Sequence, residues 1–513
     1  MLALVAISGL LSFFTLAHGH NWGDDFSVYI SQGIALDQGR FEQQTVANGQ
    51  IISAEGPVTY VWGYPLLLSL VHRMAGFDFD AFTSLIYYKV PAALCLALWG
   101  IVLYLYYRKR FSRGSAFAGS LIFCANPVLL AMCNEILTDI PFALFSGLAL
   151  LLMDSFLVEN GERSARGWVI AIALGVSIYI AYIVRYAGMV LIAVLFVSQV
   201  FYGWRTKGKP TLRYTTNHEQ RWKRAYSALF QCLPYITFIL IYVIIGFFIP
   251  YAKTQASDAL TITPRGIASN ILYYILLIKG FIMTMIPFAH GGNLIIVLVL
   301  AVTGLGILKC LTSEMPATLF LIGTMMFVVL LPYQQGLRYI LNVLPLIILF
   351  FARGIQHIFQ WLGNRYSKSW GRYVWKYVGT AIFGVVCLTI LIGSARQAQM
   401  NMSANRRASD GAYSEDAVSM YRYIREKLPA HQRVAFSKGR ALSLNTDRVN
   451  YYLHPSTLHA LSEADFLLTS EDPAAVLLFD EKEAMKQMGI GATVEYEKGT
   501  MTLYKLERNY FHD

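Results

Sequence analysis

Eleven apolar runs of membrane-crossing length dominate this chain, and nothing else constrains its fold as much. An α-helix needs roughly 17–25 predominantly apolar residues to cross the hydrocarbon core of a bilayer. Such runs lie near 1–17, 84–107, 115–133, 140–157, 168–184, 187–203, 228–250, 293–312, 316–333, 339–356 and 377–394. Only 14 % of the 513 residues are charged and mean hydropathy is +0.47, whereas a soluble domain carries about 25 % charged residues. The expected fold class is therefore an all-α polytopic membrane protein of about eleven transmembrane helices. The run 1–17 is expected to be a retained helix, because it has no basic leading segment and no clear cleavage site follows it.

Lysine and arginine set the expected orientation. The loops at 108–113, 163–166, 204–224, 309 and 353–376 hold nineteen of them, and the alternate connections hold seven. The richer set is expected to face the cytoplasm. This asymmetry also accounts for the net charge of +11 without invoking nucleic acid. The expected location is a plasma membrane, the inner membrane if the cell is bacterial, with residues 18–83 and 395–513 outside. The segment 267–292 is apolar, but Lys279 at its centre and its many aromatics favour a helix in the interface. A crossing there would reverse the side of the tail.

Residues 1–394 are expected to form the membrane domain and 395–513 a small α/β domain. "SEDAVSMYRYIREKLP" (414–429) has a serine cap, helical apolar spacing and a terminating proline. "RVAFS" and "AVLLF" have strand character, and 493–506 alternates around Lys498-Gly499 as a hairpin does. None of the six cysteines follows residue 387, and no spacing suggests zinc. The tail has no evident catalytic cluster.

Polar groups at the membrane plane are costly, which makes them functional candidates. Four sets fall on the expected outer side. Asp24 and Asp25 follow the first run in "HGHNWGDDFSVYI". One could cap a helix, and a pair could divide the work of general base and metal ligand or orienting group. Glu135 and Asp139 lie in the short turn "NEILTDIPF", where a spacing of four would place them on one helix face, or where one caps the next helix. Arg185 interrupts a long apolar stretch in "YIVRYAGM", and Arg338 with Tyr339 begins a span in "YQQGLRYILNVLP". Either arginine could be an interfacial anchor or a phosphate ligand. Carboxylates that can deprotonate a hydroxyl, together with arginines that can hold phosphate, suit displacement of a lipid-linked phosphate.

These residues resemble the GT-C superfamily of membrane glycosyltransferases, in the branch of protein O-mannosyltransferases and lipid A aminoarabinose transferases. The likeness rests on the "DD" pair and the "VYISQGIALDQGRF" after it, "WGYPLLLSLVHRMAG", "NEILTDIPFALFSGLALLL" and "LRYILNVLPLIILF", over roughly residues 1–355. The tail segment "YRYIREKLPAHQRVAFSKGRALSLNTDR" is similar to the extracytoplasmic domain of bacterial members. The resemblance implies transfer of a sugar from a polyprenyl-phosphate donor to a glycan, lipid or protein acceptor on the outer face, with inversion. It implies that Asp24 or Asp25 is the catalytic carboxylate, that Arg185, Arg338 and Tyr339 hold the donor phosphate, and that Tyr64, Glu135 and Asp139 support the site or its acceptor. Glu55 would also support the site and, with Asp25, could hold a divalent cation (magnesium or manganese). Aminoarabinose transferases carry Glu-Lys-Pro where this chain has Glu55-Gly56-Pro57, so the superfamily is implied but not that substrate. The rival expectation is a lipid-linked sugar flippase without transfer chemistry. Such a transporter would favour charges at the bilayer midplane and paired repeats.

Overall fold

The computed structural model describes residues 1–23, 25–39, 61–75, 81–158, 165–206, 217–248, 263–285, 292–331, 334, 336–366, 380–403, 411–446, 448, 450–453, 460–472, 475 and 485–508. In chain order the helices are α1 Leu2–Thr15, α2 Asp25–Asp37, α3 Gly63–Ala75, α4 Ala81–Arg108, α5 Arg113–Cys124, α6 Pro127–Met132, α7 Asp139–Val158, α8 Ala165–Val184 and α9 Val190–Thr206. They continue with α10 Asn217–Phe248, α11 Pro264–Met285, α12 Gly292–Cys310, α13 Met315–Leu330, α14 Leu344–Tyr366 and α15 Thr380–Ser403.

Among the described residues, eight helices are long and apolar enough to cross a membrane, or nine if the bent pair Arg113–Cys124 and Pro127–Glu135 is one span. The expected eleven differ for local reasons. The run at 115–133 breaks by 44°, where Asn126 caps the next helix by accepting from the Val128 N–H at 2.9 Å and Pro127 occupies its first turn. The first run and the one at 316–333 form the shorter apolar helices Leu2–Thr15 and Met315–Leu330. α11, in the segment expected to lie in the interface, is long and apolar enough to cross. Its polar side chains tie it to neighbouring helix ends. Asn270 donates to the carbonyls of Val329 and Leu331 at the end of α13, and Lys279 donates to Asn293 at the start of α12.

Small residues let α12 and α14 touch. A Cβ on Gly306 would collide with the Phe350 carbonyl oxygen, and one on Gly354 with that of Val302. At one end of the bundle an ionic staple joins four elements. Arg110, just beyond α4, donates to Glu314 at 2.7 Å and pairs with Asp154 of α7, while Arg353 of α14 reaches Glu314 at 3.2 Å. The opposite end carries the candidate site.

The C-terminal unit follows as α16 Glu415–Lys427, β1 Val434–Phe436, α17 Gly439–Thr446, β2 Tyr451–Tyr452, α18 Ala460–Glu463, β3 Phe466–Ser470, β4 Ile490–Lys498 and β5 Met501–Arg508. Its five strands are ordered β2-β1-β3-β5-β4, with β1 parallel to β2 and β3, and β5 antiparallel to β3 and β4. The expected hairpin is present, with Gly499 at φ +54° in its turn. The expected strand "AVLLF" falls almost wholly outside the described residues, whereas β3 is a strand that sequence inspection missed. One face of this unit is not closed on itself. Met420, Tyr421, Phe436 and Leu503 share an apolar core with Phe26, Ile30, Tyr64 and Leu68 of α2 and α3, so α2 and α3 pack together with the described part of the C-terminal unit.

Candidate active site

The turn between α1 and α2 sets the position of the site, and a buried lysine shapes that turn. Lys89 of α4 is fully buried. Its ammonium donates to the carbonyls of Ala17 at 2.7 Å and Gly19 at 2.5 Å, and to Asn134 Oδ1 at 3.3 Å. Asn134 closes the other side, accepting from the Ala17 N–H at 2.8 Å and donating to the Thr15 carbonyl at 3.1 Å. Carbonyls left behind by the end of α1 are thereby satisfied without water. His20 stacks on Phe26 at 3.9 Å. Burial, reinforced by the Lys89 ammonium, pushes its imidazole down to about 4, so it is neutral at physiological pH.

Asp25 stands in the first turn of α2. Its Oδ2 is 3.4 Å from Arg338 Nη1 and its Oδ1 is 3.4 Å from Arg440 Nη1. These are ion pairs at the long edge of hydrogen bonding, with the carboxylate about one-third exposed. Arg338 belongs to a 3₁₀ turn, Leu337–Ile340, entered through Gly336 at φ +75°, a conformation that favours glycine. Arg440 comes from the first turn of α17.

A second cluster lies alongside. Arg185 pairs with Asp139 of α7, and its guanidinium carbon sits 4.0 Å from the centre of the Tyr339 ring. Asp139 is 4 % exposed and Arg185 17 %. Arg338 reaches the same ring at 5.5 Å, so Tyr339 links the two arginines through its π face.

Glu135 ends a 3₁₀ turn, Cys133–Glu135, and accepts from Asn21 Nδ2 at 2.6 Å. Asn21 in turn accepts from the Gly23 N–H at 2.8 Å. Glu135 and Asp139 do not share a helix face as their spacing suggested. Ile136 between them takes a left-handed backbone, φ 41°, which ends one element before the next begins. Tyr64 is fully buried edge-on against Tyr29 at 5.5 Å. It belongs to the core beneath the site, because its position on α3 points at α2. Asp24 and Glu55 lie outside the described residues.

A cavity of about 370 Å³ opens at this face. His20, Asn21, Asp25, Glu135 and Arg338 form its polar side, and Val128 and Met132 of α6 belong to its apolar side. The described residues supply no donor set for the expected divalent cation. No three His, Cys, Asp or Glu side chains among them are grouped to hold a metal ion, and both Asp25 oxygens face guanidinium groups.

Sequence inspection missed three residues here. Lys89 had a visible signal, a lysine within an apolar run. Asn21 had none beyond its place beside the aspartates, and Arg440 lay in a tail expected to hold no site residue. The tail also docks directly on the α1–α2 turn. Trp22 Nε1 donates to Asp472 at 2.6 Å, the Ala412 N–H donates to the His20 carbonyl at 3.1 Å, and a Cβ on Gly411 would lie 2.5 Å from that carbonyl oxygen.

Comparison with known proteins adds the fold family. A profile of the family described as dolichyl-phosphate-mannose-protein mannosyltransferase matches residues 55–253. Among curated protein sequences none matches this chain. The crystal structure of ArnT from Cupriavidus metallidurans bound to undecaprenyl phosphate is similar at a TM-score of 0.56 and 13 % identity, covering 99 % of this chain and 98 % of that one. The archaeal oligosaccharyltransferase AglB from Archaeoglobus fulgidus, in complex with an inhibitory peptide and a dolichol-phosphate, gives a TM-score of 0.58 at 13 % identity, covering 100 % of this chain and 74 % of that one. The fold is that of the GT-C glycosyltransferases, as the sequence resemblance implied.

Proposed function

We propose that this GT-C chain is an inverting glycosyltransferase that moves a sugar from a polyprenyl-phosphate donor to a hydroxyl-bearing glycan, lipid or protein acceptor. The observation that carries this reading is the placement of Asp25 beside Arg338 at the edge of a cavity at one end of an apolar bundle. The donor's tail stays in lipid and its phosphate reaches the arginines. The acceptor hydroxyl gives its proton to Asp25 as its oxygen attacks the anomeric carbon. The bond from that carbon to the phosphate oxygen breaks, and the phosphate leaves with the electron pair. Arg338 meets the charge that builds on the leaving phosphate, and this stabilisation grows toward the transition state. Arg185 and Tyr339 back it from the side, held in place by Asp139. The lysine and arginine asymmetry supports a site on the extracytoplasmic face of a plasma membrane, the inner membrane if the cell is bacterial.

The test uses purified protein with a polyprenyl-phosphate sugar and measures release of polyprenyl phosphate. Asp25→Asn should lower turnover by about 10²–10⁴-fold, the usual effect of losing a general base, with the thermal midpoint unchanged. Full turnover in Asp25→Asn removes this carboxylate from the chemistry. Sugar translocation without phosphate release would favour a flippase.

A further inference from the structure

We propose that Glu135 holds a hydroxyl of the transferred sugar, and so takes part in selecting which sugar the chain moves. This rests on the transfer reading above.

The first support is a carboxylate with one oxygen engaged and the other on offer. Glu135 Oε2 accepts from Asn21 Nδ2 at 2.6 Å. Its Oε1 accepts no hydrogen bond from the described residues, and the side chain is half-buried in the wall of the cavity of about 370 Å³. Asn21 is itself fixed. Its Oδ1 accepts from the Gly23 N–H at 2.8 Å, which turns the amide nitrogen toward Glu135. The tether thus holds the carboxylate and leaves one acceptor oxygen to whatever fills the cavity. An ionised carboxylate only accepts hydrogen bonds, and a sugar ring supplies O–H donors on several carbons.

The second support is the backbone beside it. Ile136 is fully buried at φ 41°, ψ 57°, the one non-glycine residue with positive φ among those described. A β-branched residue is a costly choice there. Glycine would relieve the strain but lose the anchor. The Ile136 side chain lies in the apolar cluster that also holds Trp22 and Phe26, which flank Asp25 in the sequence. The strained turn therefore sets Glu135 relative to Asp25, and strain kept in this way is a mark of functional sites.

The third support is where the sugar has to be. Arg338 lines the same cavity and acts electrostatically on Glu135 without hydrogen-bonding it. The Lys89 ammonium also acts on Glu135, but its N–H groups go to Ala17, Gly19 and Asn134. Neither cation occupies Oε1. With the lipid phosphate on Arg338, the sugar bonded to that phosphate enters the cavity that Glu135 lines. The phosphate is not the ligand of Glu135, since two anions repel.

The experiment measures binding to the full chain in nanodiscs without acceptor. One probe is undecaprenyl phosphate, which has no sugar. The other is whichever of polyprenyl-phosphate mannose, glucose or arabinose the wild type turns over. Glu135→Gln keeps an oxygen for Asn21 and removes the charge, so the thermal midpoint should stay near wild type. Donor Kd should rise by about 10–100-fold, the usual loss of a hydrogen bond to a charged group. Undecaprenyl phosphate should bind as tightly as before or more tightly, because an anion near Arg338 has gone. A merely structural role would weaken both ligands together, and that result overturns the proposal. So does a wild-type donor Kd with raised acceptor KM, which assigns Glu135 to the acceptor. If Glu135→Gln fails to fold, singly deoxygenated donors on the wild type decide. One of them should bind about 10–100-fold more weakly, since the site's polar group is left unpaired, and equal binding by all overturns the proposal. Asp25→Asn separates the two ideas: lost turnover there with a wild-type donor Kd in Glu135→Gln sinks this inference alone, and full turnover in Asp25→Asn sinks the transfer reading.

Discussion

Arg185 lies over the face of Tyr339, its guanidinium carbon 4.0 Å from the ring centre, while Asp139 holds the same guanidinium from the other partner helix. Residues from three separate connections of the chain thus meet in one contact. The arrangement fixes a ring that also carries Arg338 at 5.5 Å. Asp139, expected to support the site or its acceptor or to cap a helix, is in the structure the counter-ion of Arg185.

The first prediction follows from that pairing. Both partners are largely buried, and removing one side of such a pair costs about 3–5 kcal/mol because the other charge is left behind. Asp139→Asn should therefore lower the thermal midpoint clearly, and combining it with Arg185→Met should restore part of the loss. A double-mutant cycle on thermal unfolding measures the coupling. A wild-type midpoint with lost turnover would mean that Asp139 acts directly on substrate.

Arg338 tests transition-state charge. Under the proposed transfer, in which its contact would strengthen as the phosphate departs, Arg338→Ala should lower kcat as well as donor affinity. Arg338→Lys should regain part of kcat, a point charge replacing a fork. Steady-state kinetics beside a thermal control reads this out, and an unchanged kcat would reduce Arg338 to a helix-end anchor.

A pH dependence of stability should follow from His20. The folded imidazole titrates at about 4 and the unfolded one at its ordinary 6.5. Between these values the unfolded chain takes up a proton that the folded one refuses, so stability is full above 6.5 and falls as pH drops toward 4. Two and a half pH decades correspond to a loss of about 3 kcal/mol. His20→Gln should flatten the acid side of a midpoint-against-pH curve. Parallel curves for the two proteins would show that His20 is not the group responsible.

Sidedness can be read chemically. Glu426 is exposed at the end of α16, and Glu426→Cys should react with an impermeant thiol reagent in intact cells, or in spheroplasts where an outer membrane intervenes. A cysteine-free version of the protein supplies the background. Labelling that requires lysis would place the C-terminal unit on the cytoplasmic side.

The membrane helices were legible because a run of apolar residues long enough to cross lipid has few other fates. Arg185, Arg338 and Asp25 were legible for the converse reason, since charge is scarce and costly beside such runs. Other features depended on tertiary contacts with no local trace. Arg440 sits in a polar segment where arginine is common, and its meaning comes from α17 docking on α2. Tyr64 lies in a motif-like stretch, but its place on α3 directs it into the core against Tyr29. Glu135 and Asp139 had helical spacing, but one residue in a left-handed conformation, Ile136, set them in different elements. The bend at Pro127 was not read from the sequence, where 115–133 stands as one run, although asparagine followed by proline is a common helix start.

Asp25 and Arg440 are 415 positions apart, which gives the site an order of assembly in time. At about 5–20 residues per second of synthesis, the guanidinium follows the carboxylate by roughly 20–80 s. For the first 313 of those positions the membrane helices emerge and insert with Asp25 lacking both of its arginines, and from there to Arg440 it lacks one. A ribosome-bound intermediate therefore carries this cluster unfinished. The last step in maturing the site is the docking of the C-terminal unit on the α1–α2 turn, made long ago in the life of the nascent chain.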